Sequence, residues 1–120
     1  MREIRFRAWD GERLRKVNTI GWVDDGVDFV TTPRYSGPAE DFILMQYTGL
    51  KDKNGVEIYE GDVLFHSLQG RRKVYYPYSE TVASYGLRNI DNGFGSTLQD
   101  SHSVWEVIGN VYENPELLED

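Results

Sequence analysis

The stretch from Phe42 to His66, FILMQYTGLKDKNGVEIYEGDVLFH, constrains this chain more than any other, because it joins the longest apolar run to the clearest chain reversal. Phe42, Ile43, Leu44 and Met45 are unbroken by a polar residue. A run of that length is far too short to span a membrane and suits a central strand buried on both faces. After Thr48, Gly49 and Leu50 comes Lys51-Asp52-Lys53-Asn54-Gly55, whose closing dipeptide favours the positive φ of a tight turn. Beyond it Val56, Ile58 and Glu60 point one way while Glu57, Tyr59 and Gly61 point the other, the period of two of a half-exposed strand. Asp62 then opens the run Val63-Leu64-Phe65, behind a glycine that permits a bend or bulge.

Similar signals recur on either side. Ile4, Phe6 and Ala8 alternate with Arg5, Arg7 and Trp9, and Asp10-Gly11 marks a first hairpin. Its return strand, through Leu14 and Val17, continues to Ile20, Trp22 and Val23; after Asp24-Asp25-Gly26 a third strand holds Val27, Phe29 and Val30, giving a meander. In that arrangement Arg5, Arg7, Arg13, Arg15 and Lys16 gather on the exposed side, where a solvated, edge-blunting role outweighs an anion-binding one because Glu3, Asp10 and Glu12 lie among them. Residues 31–41, with Pro33, Gly37 and Pro38, read as a connecting loop. Gln69-Gly70 signals another hairpin. Val82 to Ile90 reads as a strand broken at Gly86, and Asn92 to Ser96 as a loop. Val104 to Tyr112 (VWEVIGNVY) reads as a second central strand with a bulge at Gly109, and Asn114-Pro115-Glu116 as the cap and first turn of a short helix that docks Leu117 and Leu118.

Composition supports sheet over helix. Among 120 residues there are eight Tyr, five Phe, three Trp and twelve Gly, so aromatics supply much of the core. The expected fold is therefore all-β or mainly β: an antiparallel meander, a small barrel-like sheet and a short C-terminal helical turn. One domain over residues 1–120 is expected, with an N-terminal sub-unit at 1–50 and the barrel-like part at 51–120. With no signal-peptide pattern after Met1 and no long apolar window, the expected location is a bacterial cytoplasm, with no membrane contact.

Several chemistries find no support. The absence of cysteine excludes disulfides, thiolate nucleophiles and Cys-based metal sites. His66 and His102 are the only imidazoles; His102 between Ser101 and Ser103, after Asp100, lets a Ser-His-Asp set be named, but neighbours in sequence do not make a triad. Asp52, Glu57, Glu60 and Asp62 crowd one bend and could hold a divalent cation for hydrolysis, yet their spacing fits no calcium loop and bonds to loop amides explain them better. Neither GxxxxGK[ST] nor GxGxxG occurs. No catalytic residue, metal or cofactor is expected. The net charge of −7 disfavours loose binding to phosphate backbones, although residues 1–16 carry six Arg or Lys against three acids. One local pattern suggests contact: Arg71, Arg72 and Lys73, followed by Tyr75, Tyr76 and Tyr78, can track a single strand of nucleic acid and stack its bases, or form an ordinary edge strand marked by Pro77.

Three passages, REIRFRAWD at residues 2–10, LMQYTGLKDKNGVEIYEGDV at 44–63 and VIGNVYENPELLE at 107–119, together resemble the YopX family of small proteins encoded by phages and prophages. The resemblance implies a β-rich fold and a phage or prophage source, brings no catalytic or ligand-binding residues with it, and leaves residues 11–43 and 64–106 unconstrained. The leading expectation is a non-enzymatic accessory protein that binds a host or phage protein or a second copy of itself. The alternative is a nucleic-acid-binding small β-barrel using Arg71, Arg72, Lys73, Tyr75, Tyr76 and Tyr78.

Overall fold

A computed structural model describes residues 5–23, 26–32, 36–76, 85–90, 95–99 and 101–118. They fall in two compact units, one within Ile4–Gln46 and the other within Tyr47–Asp120. The first holds β1 (Phe6–Trp9), β2 (Leu14–Lys16), β3 (Thr19–Val23), β4 (Gly26–Thr31), β5 (Ser36–Pro38) and the start of β6 (Ile43–Lys51). β1 pairs antiparallel with β2 on one side and with β6 on the other, Ala8 lying opposite both Arg15 and Leu44. The hairpin turn is wider than its Asp-Gly dipeptide suggests, since Trp9 faces Leu14 across four residues. Asp10 explains the width. Its carboxylate accepts the N–H groups of Glu12 and Arg13 and a 2.7 Å bond from Arg15 Nε, and these, Arg15 foremost, bring its pKa down to about 2. Gly11 takes φ +100°, a conformation that costs glycine little.

Two expectations for this unit are corrected. The run from Val17 to Val23 is not one strand with β2: the chain breaks at Val17 and Asn18, and β3, β4 and β5 form their own antiparallel meander. Residues 31–41 are accordingly more than a loop, because they supply β5 and a 3₁₀ turn at Ala39–Asp41; Pro33 lies outside the described residues. The five cations do not share a face either, since the cross-strand pair Arg7 and Lys16 alternates with Ala8 and Arg15. Ala8, Val30 and Phe42 form this unit's core, flanked by Val17 and Leu44.

The second unit holds the end of β6, β7 (Glu57–Tyr59), β8 (Asp62–His66), β9 (Gly70–Tyr75), β10 (Gly86–Asn89), β11 (Gly95–Thr97), β12 (Glu106–Asn110) and 3₁₀ turns at His102–Val104 and Pro115–Leu118. β6 is not buried on both faces along its apolar opening as the sequence suggests: Ile43 is exposed and Leu44 half-buried, and burial becomes complete only at Met45, Tyr47 and Thr48. The reversal at Asn54-Gly55 is present, with Gly55 at φ +81°. Past it, Tyr59 lies opposite Tyr47, their rings 5.5 Å apart. β11, β10, β9, β8 and β12 make a five-stranded antiparallel sheet in that order. No ladder joins β11 to β12 among the described residues, so the sheet expected to be barrel-like is open and does not close into a barrel. Its core is Ile58, Leu64, Val74, Tyr85, Leu87, Leu98 and Trp105, all buried.

Among the described residues β12 ends the sheet, pairing with β8 alone; the apolar run from Val104 is thus a border strand and not a second central one. Its bulge falls between Val107 and Gly109 as the glycine signals. A Cβ at Gly109 would stand 2.5 Å from Asn114 Oδ1 and 2.8 Å from Leu117 Cδ1, so the glycine lets these two side chains pack against β12. Asn114 and Pro115 start the closing 3₁₀ turn as expected, Leu117 N–H donating to Asn114 O.

Candidate binding face on the five-stranded sheet

Cross-strand register decides which side chains share a surface. Phe65 lies opposite Arg71, Val63 opposite Lys73, Lys73 opposite Arg88, and Tyr75 opposite Gly86. Since strand residues alternate, Phe65, Arg71, Lys73, Tyr75 and Arg88 occupy one face together with Val63, which is fully buried there, and Leu64, Arg72, Val74 and Leu87 occupy the face over the core. The six residues of the cation and tyrosine pattern are therefore split. Arg72 is drawn inward, its guanidinium 5.7 Å from the ring centroid of buried Trp105, within cation–π range. Tyr76 is half exposed and packs 5.0 Å from the ring of buried Tyr85. Tyr78 and Pro77 lie outside the described residues. β9 is also the middle strand of the sheet, so the edge-strand reading of this segment is overturned.

The outward set is organised around Tyr75. Its ring lies against Gly86, where a Cβ would stand 2.6 Å from ring atoms, and carries the Arg88 guanidinium 4.4 Å from its centroid. Arg71 Nη1 donates 2.6 Å to Leu117 O, tying the C-terminal turn to β9. Lys73 and Arg88, with Asn89, Ile90 and Leu118, line a shallow cavity of about 200 Å³. Lys73 and Arg88 are directly opposed like charges, and neither makes an ion pair or hydrogen bond among the described residues. Sequence reasoning missed Arg88 and Phe65. Arg88 stands in no recognisable pattern and Phe65 reads only as the end of an apolar strand, and the strand register alone brings them beside β9.

Two of the carboxylates near the bend, Asp52 and Asp62, serve the backbone. Asp52 is buried and accepts three N–H bonds: Asn54 and Val56 to Oδ1 at 2.8 and 2.9 Å, and Val107 to Oδ2 at 2.9 Å. Burial raises its pKa, but the three bonds outweigh that and leave it below the ordinary carboxylate value. Asp62, also buried, accepts Tyr59 N–H at 2.8 Å. Among the described residues no three metal-ligating side chains converge. His102 Nδ1 lies 2.7 Å from Lys51 O, and Ser101 Oγ accepts from Trp105 Nε1, so this serine and histidine are held by the loop and not by each other; Asp100 lies outside the described residues. His66 packs 5.5 Å from Trp105, its Nδ1 accepting Leu68 N–H.

These features define a small, mainly-β protein of open antiparallel sheets, with a basic and aromatic sheet face. The model of the family described as YopX protein matches residues 5–119, and the chain belongs to that family. Among solved structures it is similar to protein EF1440 from Enterococcus faecalis, with 27% identity and a TM-score of 0.71 over 99% of this chain and 100% of that one. The YopX protein of Bacillus subtilis shares the fold at 21% identity and a TM-score of 0.59, over 100% of this chain and 98% of that one. No curated protein matches the sequence. Among the described residues no helix is long and apolar enough to cross a membrane.

Proposed function

We propose that this chain is a non-enzymatic accessory protein of a phage or prophage, acting in the bacterial cytoplasm by binding another protein through the outward face of its five-stranded sheet. The observation that carries the reading is the Lys73 and Arg88 pair. Like charges directly opposite on paired strands destabilise a sheet, and a chain with twenty acidic residues places none of the described ones against this pair. A partner that supplies a negative charge here would relieve that repulsion. Phe65, Arg71, Tyr75 and Arg88 add the aromatic and arginine content in which protein interfaces are enriched.

The nucleic-acid alternative draws on the same cations but lacks a stacking platform. A base needs an open aromatic face, and on Tyr75 the Arg88 guanidinium and Gly86 stand against the ring. Tyr76 packs on Tyr85 instead.

Crosslinking and affinity capture from bacteria carrying the phage or prophage tests the reading. Wild-type chain is expected to retain a defined partner that Lys73→Glu/Arg88→Glu loses while staying folded. Recovery of no partner, or equal recovery by the double variant, refutes it.

A further inference from the structure

We infer that the cavity between Lys73 and Arg88 is a receptor for a single carboxylate side chain, presented with a neighbouring apolar residue on an acidic segment of the partner; this rests on the binding reading above. Size sets the first limit. A cavity of about 200 Å³ holds roughly six waters at ~30 Å³ each, below the ~300 Å³ at which pockets for cofactor-sized ligands begin. One side chain fits it and a nucleotide does not.

Lining chemistry sets the second. Lys73 and Arg88 bring two cationic side chains to its border and Asn89 belongs to the same wall, while Ile90 and Leu118 add apolar surface. An isolated phosphate ion would leave that apolar wall facing water. A glutamate or aspartate followed by an aliphatic residue satisfies both halves. Leu118, exposed by 39%, has area to bury against such a neighbour.

Pre-organisation is the third element. Arg88 is held on the Tyr75 ring, and that ring can lie where it does only because residue 86 has no Cβ. The guanidinium is thus positioned before any ligand arrives, which lowers the ordering cost of binding. Ionised Asp and Glu carry acceptors and no donor, whereas the protonated acid carries an O–H, and Lys73 and Arg88 have only donors, so the site takes the charged form.

The test uses the full ¹⁵N-labelled chain titrated with a blocked hexapeptide alternating glutamate and leucine. Comparison titrations use the same peptide with glutamine for glutamate, inorganic phosphate, and a fifteen-residue oligothymidylate. The glutamate peptide is expected to shift the signals of Lys73, Arg88 and Leu118 saturably. Lys73→Gln and Arg88→Gln are each expected to weaken it at least fivefold and Lys53→Gln to leave it unchanged. Raising salt from about 50 to about 300 mM should weaken it several-fold, as screening requires. Lys73 takes no part in the Tyr75 stack, so its variant reads the site even if Arg88→Gln perturbs folding.

Equal binding of the glutamine peptide, shifts confined to other residues, or full binding by Lys73→Gln overturns the inference. Phosphate saturating the same signals while the peptide fails assigns the site to free phosphate instead, and tighter binding of the oligonucleotide assigns it to nucleic acid. Failure of the peptide alongside continued capture of a protein partner removes the carboxylate site alone. Peptide bound at Lys73 and Arg88 with no partner captured removes the wider reading alone.

Discussion

Removing the Asp52 carboxylate tests how far one side chain holds the second unit together. Its oxygens accept from Asn54, Val56 and Val107, and the residue is 5% exposed. Hydrogen bonds to charged groups contribute about 1.5–3 kcal/mol each, but Asn54 and Val56 are exposed and water can replace their acceptor, whereas Val107 N–H is half-buried. Asp52→Ala is therefore expected to cost ~3 kcal/mol, mostly at Val107 and in the loosened turn. Asp52→Asn should cost ~2 kcal/mol, because its amide can present oxygen to the turn or to Val107 but not to both, and the other position then meets N–H with NH₂. Urea unfolding measures both. With m of about 1.5–2 kcal/mol/M, the alanine variant should lose about 1.5–2 M in midpoint with m unchanged. The pH dependence has a fixed sign: a carboxyl whose folded pKa is depressed stabilises fully above its unfolded value near 3.8 and loses that contribution as pH falls through the folded value. Stability of Asp52→Asn should thus fall less steeply below about pH 4. A variant within ~0.5 kcal/mol of wild type, or an unaltered acid slope, refutes the reasoning.

Three further substitutions probe the sheet. Gly109→Ala drives a methyl into the Asn114 and Leu117 side chains, which have to move; a loss of about 1–3 kcal/mol in urea is expected, with shift changes reaching Arg71 through its bond to Leu117 O. Gly86→Ala should expel the Tyr75 ring and release Arg88 at a cost of ~1 kcal/mol, seen as loss of the upfield shift that the ring imposes on Arg88 side-chain protons. Lys73→Gln, measured without ligand at low salt, should raise the midpoint of thermal unfolding slightly, by the ~0.2–1 kcal/mol of an opposed like-charge pair. A lowered midpoint would show that the pair is not repulsive.

What could be read in the sequence was local. The Asp10-Gly11 and Asn54-Gly55 reversals, the Gly109 bulge and the Asn114-Pro115 start all rest on residues whose chemistry fixes a few neighbouring dihedrals, and all are present. Pairing over distance was not legible. β1 takes β6 as its second neighbour across more than thirty residues, and nothing in either strand's wording names the other. The same limit misplaced β9 and β12: an Arg- and Tyr-rich run with a following proline resembles a border strand, and VWEVIGNVY resembles an interior one, yet β9 lies between β8 and β10 while the turn at Asp52 and Lys53 takes up outward groups of β12. The binding face was half legible for a related reason. Alternation separates Arg72 from Arg71 and Lys73 once a strand is assumed, but Arg88 joins them only through register.

The turn at Asp52 also governs how this molecule behaves among copies of itself. Lys53 N–H donates to Trp105 O, and the Asp52 carboxylate accepts Val107 N–H, so a loop and a charged side chain fill the places that another strand would otherwise take. Protonation weakens that stopper, and the hypothesis follows that acid exposes a self-templating surface before the core melts. Thioflavin fluorescence growing as the solution is acidified below the ordinary carboxylate range at high concentration, and already at neutral pH in Asp52→Ala, is the expected signature. Clear, monomeric solutions in both cases would show that β12 has no tendency to recruit its own kind.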